Sequence, residues 1–220
     1  VYKNSNFSSL RAVTVDKYFS QYAYGDKIYG VYPMSSSIIR EEFPNGLGDS
    51  TGAALQNTFD FYRPLSPHYE YTSSIFGGNK GDQASNLIKI PSIFYGSSIK
   101  KGSISLRYYM TGTLIAELND IHKNGELVQV GPPGSNGSGS VAGVALYNEG
   151  FLLLTGSWSL SSDSIALING SATGHNPKWI FFGAGANDSV SVATTAASNS
   201  SASFDLSFKS IQESDGVCKA

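Results

Sequence analysis

Residues Ser103 to Met110 constrain the fold more than any other stretch. Ile104, Leu106, Tyr108 and Met110 alternate with Ser105 and Arg107. Successive side chains of a strand point to opposite faces, so this period of two describes a strand buried on one side. From Ile90 to Leu160 the chain keeps returning to that pattern, with glycine- and serine-rich connections and little ionisable chemistry. Such a stretch builds sheet surface.

Regular short strands follow along the chain. Asn86–Ile90 reads as a strand that halts at Pro91, and Ser92–Tyr95 and Ser103–Leu118 read as further strands. Asn124-Gly125 predicts a tight type I′ hairpin turn, because both its central positions need positive φ. Residues Gly131 to Ser140 form a glycine-, proline- and serine-rich stretch expected to be an exposed, flexible loop. Val141–Tyr147 and Phe151–Thr155 are joined by Asn148-Glu149-Gly150; the unalternated Leu152-Leu153-Leu154 predicts cover on both faces. Weaker strands are expected at Ser164–Ile168, Lys178–Phe182, Ser189–Ala193 and Ser203–Lys209.

One helix stands out. Asp49-Ser50-Thr51 supplies capping side chains, Leu55, Phe59 and Tyr62 fall on one face, and Pro64 and Pro67 stop it. The expected fold is therefore mainly β: an antiparallel sandwich or jelly-roll-like domain with one short helix and an extended N-terminal arm. The expected division is an arm and helix over residues 1–90 and a β-sandwich over 91–220. Before residue 48 the aromatics follow no clean period. Tyr22, Tyr24, Tyr29 and Tyr32 either belong to a single core or anchor an arm against a neighbour. Ordering such an arm costs about 1–2 kcal/mol per backbone residue, which apolar anchors must offset.

The totals exclude several classes. The net charge of −2 leaves no electrostatic footprint for nucleic acid or an acidic membrane. No apolar run approaches the ~18 residues that a helical membrane span needs. Cys218 is the single cysteine, so no intrachain disulfide forms. The start shows no signal-peptide pattern, and a chain opening at Val1 is expected to be a processed or partial product. The Asn-x-Ser triplets at Asn6, Asn136, Asn169, Asn187 and Asn199 are accordingly given no glycan. Charged residues make up 15% of the chain, well below the average of about 25%, while tyrosine and phenylalanine are plentiful. That balance suits β structure and contact surfaces.

Catalytic patterns are thin. His68, His122 and His175 have no second histidine at ligand spacing, and no serine sits in Gly-x-Ser-x-Gly. Carboxylates that a glycan hydrolase would need are offered by Glu41-Glu42, Glu117 with Asp120, and Glu126; Glu117 and Asp120 are read first as solvated strand-end charges. The loop Gly183–Asp188 reads as a turn, with one carboxylate to offer a calcium ion. No catalytic residue, metal or cofactor is assigned. Trp158 and Trp179 could stack on sugars, against a plainer role in the core or an interface.

Four segments carry a resemblance: Ala54-Leu55-Gln56-Asn57-Thr58, Leu65-Ser66-Pro67-His68-Tyr69, Pro91 through Ser103, and Gly139 through Gly150. Together they resemble uncharacterised virion structural proteins of marine tailed phages, including the contractile-tailed cyanophage type, over roughly residues 50 to 160. The resemblance implies a non-enzymatic, multi-copy protein of the virion, in tail, baseplate or neck. Its implied partners are other virion proteins and copies of itself. A host-surface glycan is the partner on the alternative reading, a particle-borne carbohydrate-binding or host-recognition module.

Overall fold

Eight strands hydrogen-bond into one antiparallel sheet in the computed structural model, which describes residues 38–48, 50–73, 75–76, 78–166, 174–184 and 202–211. In chain order the elements are β1 (Ile39–Phe43), α1 (Ser50–Tyr62), β2 (Ser85–Lys89), β3 (Ser98–Ile99), β4 (Ser105–Met110), β5 (Thr113–Asn119), β6 (Glu126–Gly131), β7 (Val141–Leu146), β8 (Phe151–Leu154), β9 (Ile165–Ala166), β10 (Gly174–His175), β11 (Ala202–Ser207) and β12 (Ser210–Ile211). The sheet order is β1-β2-β8-β7-β6-β5-β4-β11. Strands β4 to β8 are thus a meander of consecutive hairpins. β2 and β1 extend it beside β8, and β11 closes the far edge beside β4. Two short ribbons, β9–β10 and β3–β12, lie outside it. Residues 38–90 therefore supply two strands and the helix to the same core as the rest of the described chain.

The sheet is strongly curled. Seven inter-strand gaps of about 4.8 Å would hold the edges of a flat sheet about 34 Å apart. Here Arg40 on edge strand β1 donates to the carbonyl of Phe182, while the Phe182 ring lies 4.4 Å from Phe204 on the opposite edge strand β11. Register shifts at Tyr108/Tyr109, Glu117/Leu118 and Leu127/Val128 supply the local twist that curling needs. The curl brings the two halves of the sheet face to face, an arrangement compatible with the sandwich expectation.

The concave side is filled by residues 177–184. Trp179 is fully buried, 5.9 Å from Tyr108, and Asn86 of β2 donates to the carbonyls of Ile180 and Phe182. This segment was expected to be a strand. It is instead a single 3-10 turn, Trp179–Phe181. With Trp179, Ile180 and Phe182 all buried, it must place apolar groups on every side at once, which a half-buried strand cannot do. Helix α1 covers the other side of β7 with Phe59 and Tyr62. Leu152, Leu153 and Leu154 are accordingly all buried, as their unbroken run predicted.

Strand β4 matches its pattern: Leu106, Tyr108 and Met110 are buried, while Ser105, Arg107 and Tyr109 are half-exposed. α1 also falls where predicted. Tyr62 leads into 3-10 turns at Arg63–Leu65 and Pro67–Tyr69, and Ser66 between them accepts the amide of His68.

Two further expectations are corrected. Ser92–Phe94 is a 3-10 turn, not a strand; Pro91 starts it, Phe94 donates back to the Pro91 carbonyl, and Ile93 is 86% exposed. Asn124-Gly125 does not form a two-residue hairpin. The connection from β5 to β6 takes six residues, Asp120 to Gly125, with positive φ at Lys123 and Gly125. Asp120 accepts the Gly125 amide there, so a side chain does the work of a backbone turn pair. The expected strand at Ser189–Ala193 lies outside the described residues, as do residues 1–37 of the expected N-terminal arm; its residues 38–48 are described and hold β1, paired with β2 in the sheet.

Candidate functional site

Three buried polar groups organise the loops, each taken up by named partners. Glu126 opens β6. One of its oxygens accepts from the Ser66 hydroxyl and lies 3.1 Å from His68 Nδ1; the other lies 2.9 Å from His122 Nδ1. Burial disfavours its charge, but hydrogen bonding to Ser66, His122, Asn124 and His68 outweighs that and lowers its pKa to about 2. Serine, histidine and glutamate meet here, yet not as a relay. A triad uses both imidazole nitrogens, one toward the carboxylate and one toward the hydroxyl. In this cluster Nδ1 of His68 faces Glu126 and Ser66 alike, and the hydroxyl donates to the carboxylate directly.

The depressed pKa of Glu126 sets a pH prediction. Its folded value of about 2 lies below the ordinary 4.5, so the ionised form stabilises the fold above pH 4.5. That contribution is lost as pH falls through the interval toward 2. Thermal unfolding of the wild type and Glu126→Gln should differ most near neutrality and converge toward pH 2. A gap that stayed constant across the acid limb would rule this out.

Asp120 is buried at the other end of the same loop. It accepts the amides of Gly102 and Gly125 and the hydroxyl of Tyr147. Glu117 lies on β5, 3.3 Å from Arg107 Nε, with Ser105 donating to it. Glu41 pairs with Lys89 at 2.6 Å. The carboxylates weighed for hydrolysis are thus each engaged by neighbouring side chains or amides, exposed Glu42 only through the charge of Arg40.

Gln129 was not singled out from sequence, yet it ties Trp158, Trp179 and the 131–140 loop together. Its Oε1 accepts both indole N–H groups at 3.0 Å, and its Nε2 donates to Ser135 Oγ and the Asn136 carbonyl. The loop expected to be too flexible to pack is therefore pinned from within. Trp179 has no open ring face for a sugar; of its two readings, the structure puts it in the core and not on a stacking surface. Trp158 is half-buried, its indole edge packed against Gly137. A Cβ at Gly137 would sit 1.9 Å from Trp158 Nε1, and φ there is +83°. Gly137→Ala should cost about 1–3 kcal/mol and shift tryptophan emission, read by urea unfolding followed by fluorescence.

A cleft of about 530 Å³ lies at one end of the sheet. Phe61, Pro64, Leu65, Ile99, Tyr147 and Ile211 line it, and Phe61 is 69% and Ile211 38% exposed. Lys100 and Lys101 stand on its rim, Lys101 Nζ being 5.7 Å from the Tyr147 ring centre. Lys209 bonds the Lys100 amide through its carbonyl, and the side chain of Lys123 packs against Gly102. Two lysines thus stand on the cleft itself, with the backbone of Lys209 and the side-chain stem of Lys123 close to the same turn, in a chain of net charge −2. Sequence inspection missed this site because its parts come from four distant stretches; only the adjacent Lys100-Lys101 pair was visible as a hint.

Tyr22, Tyr24, Tyr29 and Tyr32 lie outside the described residues, as do Cys218 and most of the Gly183–Asp188 loop. Among the described residues no group of three or more His, Cys, Asp or Glu is placed to hold a metal ion, and no helix is long and apolar enough to cross a membrane. No protein-family model, curated protein or solved structure matches the chain.

Proposed function

We propose that this protein is a non-enzymatic structural component of a bacteriophage virion, in its tail, baseplate or neck, working through contacts with other virion proteins and with copies of itself. The observation that carries the reading is how the molecule uses its side chains. Its buried ionisable groups act as loop fasteners, whereas large apolar side chains face solvent: Phe61, Ile75, Ile93 and Ile121 are each more than half exposed. Exposed large apolar groups of this kind serve contact surfaces when they gather into patches. The resemblance of residues 50 to 160 to virion structural proteins of marine tailed phages points the same way.

Mass spectrometry of purified particles from the source phage tests the reading. The chain should be present at many copies per particle. Its absence from particles, or turnover of a glycan substrate abolished by neutralising Asp120 or Glu126, would overturn the proposal. The alternative, a particle-borne glycan-binding module, is supported by one feature. A shallow cleft of about 390 Å³, one residue along the chain from half-buried Trp158, is lined by Asn136, Ser159, Leu160, Ser161, Ser162 and Asn176, mostly amides and hydroxyls of the kind that contact sugars. Glycan-array binding lost on Trp158→Ala would favour it.

A further inference from the structure

We infer that the cleft between Phe61 and Ile211 is a docking site for a segment of a partner protein that carries an apolar side chain flanked by carboxylates. The inference rests on the reading of this chain as a contact-making component and names the partner chemistry for one of its surfaces.

The walls decide the first half. Pro64, Leu65, Ile99 and Ile211 are apolar, with the Phe61 ring largely in solvent. Such walls reward burial of an aliphatic or aromatic group, at about 25 cal/mol per Å². They offer little to a sugar, whose hydroxyls need convergent acceptors. The carboxylates nearest the cleft are already engaged: Glu149 accepts the Tyr62 hydroxyl, and Asp120 accepts Tyr147.

The rim decides the second half. Lys100, Lys101, Lys123 and Lys209 are all exposed. Among the described residues none of the four meets a carboxylate within 4.0 Å, whereas Arg63, Lys89 and Arg107 each do. Asp120 and Glu149 offset part of the charge, but neither lines the cleft. Lys100 and Lys101 still leave the rim positive, with Lys123 and Lys209 close by in the neighbouring turns. A cluster of like charge costs self-repulsion that an acidic partner relieves, and rim charges of this kind steer encounter and set specificity.

A peptide array provides the test. Short peptides hold a central pair of Leu, Ile or Phe flanked by Glu and Asp, by Lys, or by Ser, and are probed with the full chain. Binders should concentrate in the acid-flanked arm. In solution, the best acidic peptide should lose at least about tenfold in affinity for the double variant Lys100→Glu/Lys101→Glu, and lose affinity as salt is raised. Lys178→Glu, away from the cleft, should bind as wild type. Equal binding of the lysine-flanked peptides, no binding in any arm, or an unchanged affinity for the double variant would overturn the assignment. So would binding that appears only after residues 212–220 are deleted, which would give the cleft to the chain's own acidic tail. Self-association in sedimentation velocity that is lost in the double variant would give it to a second copy. Absence of the protein from virions would remove the virion reading and leave these binding results standing.

Discussion

Trp179→Ala should destabilise the protein by about 4 kcal/mol, measured by urea unfolding followed by circular dichroism. The side chain is fully buried on the concave side of the sheet, edge-on to Tyr108. Truncating a buried tryptophan removes its transfer free energy and leaves a cavity, together worth about 3–5 kcal/mol. The indole N–H is also one of the two donors to Gln129 Oε1. Its neighbours Ile180 and Phe182 tie the segment to one half of the curled sheet through Asn86 and Arg40, and the Phe182 ring meets Phe204 on the other half. Against a total stability of about 5–15 kcal/mol, such a loss leaves little margin. Trp179→Phe keeps most of the packing and removes the donor, so it should cost far less, about 1–2 kcal/mol. A loss under about 1 kcal/mol for the alanine variant would show that the segment does not fill the core.

Asp120→Ala carries the second-largest expected effect, about 3 kcal/mol. Its carboxylate is buried and accepts three donors from three separate parts of the chain. Removing it strands the Gly125 amide and the Tyr147 hydroxyl, and each unpaired buried donor costs about 1–3 kcal/mol. Gly102 is exposed, so water replaces the lost acceptor there at small cost. Asp120→Asn keeps the shape and one acceptor oxygen and should fall between. Tyr147→Phe removes only one donor, about 1 kcal/mol, and a double-mutant cycle with Asp120→Ala should show the two coupled. Additive losses would mean that the hydroxyl and the carboxylate do not depend on one another. The same carboxylate was a candidate for hydrolytic chemistry, so the pattern of losses separates a loop fastener from a reacting group. A fastener moves stability; a reacting group moves turnover with stability intact.

Much of the fold was legible because period and punctuation are local. The alternation through β4, the apolar spacing of α1 and the unbroken leucines of β8 each reflect a geometry set within a few residues. Where the sequence misled, a neighbour distant in the chain had changed the local rule. Asn124-Gly125 looked like a self-contained turn, but Asp120 captured the Gly125 amide and a six-residue loop formed. The 131–140 loop looked too flexible to pack, but Gln129 pinned it through Ser135 and Asn136. Lys178–Phe182 looked like a strand because it is apolar, and it became the turn that fills the curl.

The candidate site was almost illegible. Phe61 sits in the helix pattern, Lys100-Lys101 in a turn, Lys123 in a second turn, and Lys209 and Ile211 after the last long strand. None of those positions signals the others, since no period connects them. The chain alone determined that it is mainly β, antiparallel, and built with one short helix, because backbone periodicity and turn chemistry act over a few residues. Tertiary structure alone decided that the sheet curls onto Trp179 and that two lysines stand over an apolar cleft. Both depend on contacts between residues up to 142 positions apart, and nothing in a linear chain ranks those contacts until packing selects them.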